Sequence, residues 1–255
     1  MIMNLFGQKE PKSVVWITLH KCASQFFGDS VLPRVKGLSK IDYQWLHYEN
    51  QPLPRIELQP YSHIYGPVRL LEPSHPSFSL TEELLKPRNL AQKRVIIMVR
   101  DPRDLLVSMY YSFGFSHPLS PHPEIGQYQQ ERRTRIQPLE LDEYVRRTAP
   151  DLAARFERLE KVYGRIKAKN RLLLTYEEMI LDFDSFYQKL SLFLDLEAGV
   201  RNKLFNRTRP EKSEHPDQHK RDGAPGGFRK KLSGQTIEEI ERILGKVLAA
   251  FGYGV

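Results

Sequence analysis

Cysteine is almost absent from this chain: Cys22 stands alone among 255 residues. One thiol cannot close an internal disulfide or supply a multi-cysteine metal site, and it fits a reducing compartment. Long apolar runs are missing too. No stretch reaches the roughly 18 apolar residues of a membrane span. Met1-Ile2-Met3-Asn4-Leu5-Phe6 also lacks the basic start and long apolar core of a secretory signal. A cytoplasmic protein without a membrane span is therefore expected. Gly-x-x-x-x-Gly-Lys-Ser/Thr, zinc-finger spacing, a basic zipper and internal repeats are likewise lacking. His215 and His219 are four apart, but Pro216 opposes the helix that would aim both at a metal. No metal is expected.

What is present is an ordinary folding chain with a basic surplus. Hydrophobic residues make up 40% and aromatic residues 11%, which favours a packed core over disorder. The formal net charge of +8 suits a highly anionic ligand or a nucleic acid. Yet Arg132-Arg133-Thr134-Arg135 and Arg229-Lys230-Lys231 carry none of the interleaved aromatic residues on which single-strand binders stack bases. No nucleic-acid partner is expected.

Three segments can hold anions. Val14-Val15-Trp16-Ile17-Thr18-Leu19 has the composition of a buried parallel strand, and His20-Lys21-Cys22-Ala23-Ser24-Gln25-Phe26 follows at once. A strand turning tightly into a helix aims backbone N–H groups and the positive helix end at one point, where Lys21 adds a mobile charge. Taken alone, such a turn is equally an ordinary strand-to-helix connection. Arg94 to Val99 predicts a second strand, after which Asp101 can cap a helix whose first residue is Pro102. Arg100 at the strand end and Ser108 about two helical turns on can converge on a second phosphate. The simpler alternative pairs Arg100 with Asp101 or Asp104. The third segment, Arg221 to Ser233, brings glycine amides and four basic residues together, as an anion site or as a solvated linker.

Together these segments resemble the sulfotransferases that use 3′-phosphoadenosine 5′-phosphosulfate (PAPS). That family's first loop, Pro-Lys-Ser-Gly-Thr-Thr-Trp, corresponds to His20 through Phe26. Its second motif, Arg-Asn/Asp-Pro-x-Asp with a serine eight residues after the arginine, matches Arg100, Asp101, Pro102, Asp104 and Ser108. The third, Arg-Lys-Gly-x-x-Gly-Asp-Trp-Lys, aligns with Arg221 through Arg229. A fourth, Tyr-Glu-Asp-Met, matches Tyr176-Glu177-Glu178-Met179. The resemblance spans residues 14–233. It implies one α/β domain over 1–255, after an N-terminal extension at 1–12, with a P-loop-like central parallel β-sheet flanked by helices.

The same resemblance implies PAPS as cofactor and assigns its contacts. Lys21, Ala23, Ser24 and Gln25, in the loop that also contains Cys22, would hold the 5′-phosphosulfate. Phe26 would replace a stacking tryptophan. Arg100, Ser108, Arg221 and Gly223 would hold the 3′-phosphate, with Asp222 standing where the family has a lysine. Tyr176 would contact the adenine edge. Ala23 replaces a glycine, so the turn must avoid positive φ or accept strain. Gln25 replaces a threonine and can still donate through its amide.

The implied chemistry is in-line sulfuryl transfer to a hydroxyl or amine of a small-molecule, glycan or lipid acceptor. Lys21 would stabilise the leaving phosphate as charge builds on it. For the base, His63 is a candidate, from alignment of Tyr61 to Pro67 on a family histidine–proline segment that places Tyr65 at the base position. His20 is a rival, and Glu72 or no base are the further alternatives. Positive charge around Cys22 is expected to lower its thiol pKa.

Patterning predicts strands at 13–19, 41–46, 60–65, 94–99 and 170–175. Helices are predicted at 24–33, 81–86, 102–113, 139–148, 150–163, 184–195 and 235–251, with a break at Pro150. Residues 114–138 are expected to form an acceptor loop, and 205–234 to cover the cofactor. Two other functions remain open at this point. One is a small-molecule kinase, disfavoured by the missing glycines and by the lack of a magnesium-binding aspartate at a strand end. The other is a non-catalytic basic protein that binds nucleotides or nucleic acid.

Overall fold

The structure, a computed structural model, describes residues 10–208 and 223–254. Five strands form one parallel sheet: β1 (Val14–Thr18), β2 (Ser39–Ile41), β3 (His63–Arg69), β4 (Arg94–Val99) and β5 (Arg171–Thr175), in the order β2-β3-β1-β4-β5. β1 is apolar almost throughout because helices cover both of its faces. Val15 and Ile17 point into one core, Val14 and Trp16 into the other.

The helices among the described residues begin with α1 (Ser24–Phe26), α2 (Tyr43–Tyr48), α3 (Phe78–Leu84) and α4 (Pro87–Leu90). Then come α5 (Pro102–Tyr111), α6 (Pro123–Ile136), α7 (Leu141–Gly164) and α8 (Tyr176–Leu181). The chain closes with α9 (Phe183–Phe193), α10 (Arg201–Thr208), α11 (Phe228–Lys231) and α12 (Gly234–Phe251). α5, α7 and α12 pack on the Val15 face, and α8, α9 and α10 on the Trp16 face. None of these helices is long and apolar enough to cross a membrane. With β3 on one side of β1 and β4 on the other, the winding reverses at β1. A crevice opens at such a switch point, outside the carboxyl ends of the strands.

Four expectations about local structure are corrected. The strand expected at 41–46 instead ends at Ile41: Asp42 accepts the Trp45 N–H at 2.9 Å and starts α2. The alternation Ile41-Asp42-Tyr43-Gln44-Trp45 imitates a strand, and the cap overrides it. Pro150 does not break a helix, since α7 runs straight through it. A proline removes one backbone bond, and burial of Ala149, Leu152, Ala153 and Phe156 around it holds the helix together. Residues 114–138 are largely ordered as α6, whose thin buried stripe of Ile125, Gln129 and Ile136 gave little periodic signal. Finally, β3 ends at Arg69 and not at residue 65, which moves the end of that strand into the crevice.

Candidate active site

A cleft of about 600 Å³ occupies the crevice. Its first wall is the turn after β1. Lys21 (φ 67°) and Ala23 (φ 55°) both adopt left-handed backbone before α1 begins. Ala23 therefore accepts the strain that a glycine would avoid, roughly 1–2 kcal/mol for an L residue. The turn lines the cleft with Lys21, Ala23, Ser24, Gln25 and Phe26. Cys22 faces the other way and is fully buried. Burial pushes its thiol up to about 12, more than nearby Arg100 pulls it down. The expected lowering of its pKa is thus corrected, and Cys22 is a protonated residue of the core.

The second wall comes from β4 and α5. Arg100 is only 8% exposed, lies 4.3 Å over the Tyr176 ring, and has a buried Nε without a hydrogen-bond partner. Its neighbouring carboxylates are occupied elsewhere. Asp101 pairs with Arg103 at 2.8 Å and caps α5 through the Arg103 N–H at 2.9 Å. Asp104 accepts the N–H groups of Gly226 at 2.7 Å and Phe228 at 2.9 Å. Among the described residues Arg100 forms no ion pair, so the simpler alternative for it is excluded. Ser108 lines the same wall.

Those contacts also explain how the glycine-rich segment is placed. Asp104 ties residues 226–228 to α5, and Tyr176 OH donates to the Gly223 carbonyl at 2.8 Å. Glu177 accepts the Asp101 N–H at 2.9 Å and the Tyr253 hydroxyl at 3.0 Å, joining the second motif, the fourth and the C-terminal segment. Gly223 lines the cleft, whereas Arg221 and Asp222 lie outside the described residues. Arg207 and Lys231 line it as well, though sequence reading singled out neither as a site residue. Lys231 could have been found, as the last residue of the Arg229-Lys230-Lys231 cluster.

The far end of the cleft is formed by His20, Arg69, His75, Phe113, His117 and Arg132, together with α2 and α6. His20 packs edge-on to Phe113 at 5.4 Å. Burial and then the charges of Arg69 and Arg132 hold its pKa well below the usual value, so the ring is neutral. Its Nδ1 is buried without a partner, which leaves Nε2 as the nitrogen with access to the cleft. His75 Nδ1 accepts the Ser77 N–H at 3.0 Å. Burial pushes its pKa down to about 4, so the neutral ring carries its proton on Nε2 and acts as a donor. Although burial opposes it, Arg155 at 3.3 Å, Arg132 at 3.0 Å and the Tyr128 hydroxyl hold Glu72 down at about 2. A carboxylate so fully engaged is no proton acceptor.

His63 is not brought to the cleft. It begins β3, and its Nδ1 lies 2.8 Å from the Tyr61 carbonyl. Parallel register sets neighbouring Ile64 beside Val14 and Arg69 beside Thr18, so His63 sits at the opposite end of the sheet, roughly 20 Å away. Tyr65 is also buried away from the cleft and accepts the Gln59 N–H at 2.7 Å. The misplacement came from aligning on Pro67, which lies inside β3. Ser74-His75-Pro76, just past the strand end, is the histidine–proline signal that points into the cleft.

A family model described as the sulfotransferase domain matches residues 14–252. Among solved structures, the chain is similar to mouse sulfotransferase SULT7A1 complexed with PAP, at 16% identity and a TM-score of 0.59, covering 93% of this chain and 84% of that one. It is also similar to retinol dehydratase in complex with androsterone and the inactive cofactor PAP, at 14% identity and a TM-score of 0.54, covering 94% and 81%. At such identities the likeness is one of fold. Curated proteins give no match.

Proposed function

From the premise that this chain belongs to the sulfotransferase family, we propose that the cleft binds PAPS along its Lys21–Arg100–Gly223 side and a small-molecule acceptor at its far end. Arg100 carries the proposal. A buried guanidinium with no ion pair among the described residues is costly, and an anion relieves that cost. Lys21, Ser24 and Gln25 would hold the 5′ group, Arg100 and Ser108 the 3′-phosphate, and Tyr176 the adenine edge. A kinase would give Arg100 no phosphate to meet.

PAPS supplies an activated sulfuryl group on a phosphate leaving group. Lys21, on a fixed left-handed turn, offers positive charge to the phosphate as it departs, an interaction that strengthens in the transition state. His20 is placed to take the acceptor proton through Nε2: its ring is neutral, and the charge it would gain is opposed by burial, Arg69 and Arg132 until the acceptor and cofactor anions enter the cleft. His75 donates a hydrogen bond to the acceptor and fixes its approach.

PAP should raise the melting temperature of the protein far more than AMP does at equal concentration. Arg100→Ala should weaken PAP about 10–100-fold, the loss expected for charge-assisted hydrogen bonds, and bring it close to AMP. Wild-type PAP affinity in that variant would overturn the second phosphate site.

A further inference from the structure

Resting on the sulfotransferase reading of the cleft, we propose that the acceptor carries an anionic group beside the hydroxyl or amine it offers, and that Arg69 binds that anion. Arg69 is the last residue of β3 and is paired in register with Thr18, the last residue of β1. It therefore enters the acceptor end of the cleft next to His20, whose pKa it helps to depress.

Its position is built, not incidental. Buried Gln44 clamps the Arg69 backbone from both sides: Oε1 accepts the Arg69 N–H at 2.7 Å, and Nε2 donates to the Arg69 carbonyl at 3.0 Å. Gln44 Nε2 also donates to Thr81 Oγ1 at 2.7 Å, which locks the amide itself. Burial holds the guanidinium below the usual arginine range. Among the described residues no carboxylate forms an ion pair with it. The acid whose charge it feels, Asp42, is engaged in capping α2.

The second arginine and two polar side chains at this end are already committed. Arg132 is paired with Glu72 and lies 3.6 Å over the Phe113 ring. Tyr48 OH donates to the Pro118 carbonyl at 2.9 Å, and Gln129 Oε1 accepts the Ser120 N–H at 2.6 Å. Among the described residues Arg69 is thus the cation here that no carboxylate meets in an ion pair, Asp42 acting on it only through space. A wholly apolar acceptor would strip water from that guanidinium and return nothing. A carboxylate, sulfate or phosphate would receive its planar donor fork. Trp45 and Tyr48, which also line the cleft, supply aromatic surface for the body of such a molecule.

The test is calorimetric titration of the PAP-saturated protein with three phenols: 4-hydroxyphenylacetate, 4-hydroxybenzenesulfonate and the neutral tyrosol. At least one of the two anions should bind tenfold or more tightly than tyrosol, and which one does so identifies carboxylate or sulfo-type recognition. Arg69→Gln should abolish that preference, and Arg69→Lys should restore part of it, while both variants keep wild-type PAP affinity. No preference for either anion, or a preference that survives Arg69→Gln, overturns the role of Arg69. The preceding PAP titration separates the two readings. Absent PAP binding overturns the donor assignment, and intact PAP binding without anion preference overturns this one alone.

Discussion

At the donor end of the cleft each strand-end residue comes with its own local machinery: Lys21 from the left-handed turn after β1, Arg100 from the cap between β4 and α5. At the acceptor end Arg69, His75 and Arg132 come from a strand end, a loop and a helix that are distant in the chain. The ends also differ in charge balance. Arg100 has no ion pair among the described residues, whereas Arg132 shares Glu72 with Arg155. On the proposed reading, the donor end is completed by an anion. The acceptor end largely neutralises itself, and in the proposal above one arginine, Arg69, chooses the ligand.

The hardest test of this contrast is Lys21→Ala. If the turn supplies transition-state charge, kcat should fall about 10²–10³-fold, as for removal of one preorganised electrostatic contact. PAP affinity should change far less, because Ser24, Gln25, Arg100 and Ser108 still line the donor end. Steady-state kinetics beside a PAP titration decide it. A loss confined to PAP affinity would make Lys21 a ground-state contact, and the donor end a binding site only.

Glu72 tests the self-neutralised end. Its folded pKa, about 2, lies below the ordinary glutamate value. The stabilisation it brings is fully present above that ordinary value and is lost as the pH falls from there through about 2. The size of the shift corresponds to about 3 kcal/mol. Glu72→Gln should lower stability at pH 7 by about that amount, since Arg132 and Arg155 lose their partner, and should flatten the acid limb of a denaturation series between pH 5 and 2. Wild-type stability at pH 7 would show that water already balances both arginines, and the contrast between the ends would weaken.

The same contrast explains what the sequence made legible. The Lys21 and Arg100 walls could be read because each follows an apolar strand directly, so that strand, turn and cation appear together, as in Val14 to Phe26 or Arg94 to Ser108. The parallel sheet followed from the same strands. The acceptor end depends on where β3 stops and on how a polar helix packs. Neither is local: β3 ran four residues past its predicted end, carrying Arg69 into the cleft and leaving His63 behind. α6 showed almost no apolar stripe, yet it delivers Arg132. Pro150 misled for a related reason, because its helix is held by packing against α12 and not by its own propensity.

The smallest effect is expected at Ala23, and it probes the local geometry of the donor end most directly. Its φ of 55° costs an L residue roughly 1–2 kcal/mol, and a glycine would be free of that cost. Glycine also loosens the unfolded chain, which returns about 0.4–1 kcal/mol in the other direction. Ala23→Gly should therefore stabilise the protein by about 1 kcal/mol or less, with PAP affinity unchanged. Ala23→Val, whose branched side chain tolerates this backbone worst, should destabilise it and weaken PAP. Melting temperatures of the three proteins give the order. If glycine lowers stability while valine is tolerated, the turn is not left-handed at residue 23, and the anion-binding geometry drawn from it at the donor end fails with it.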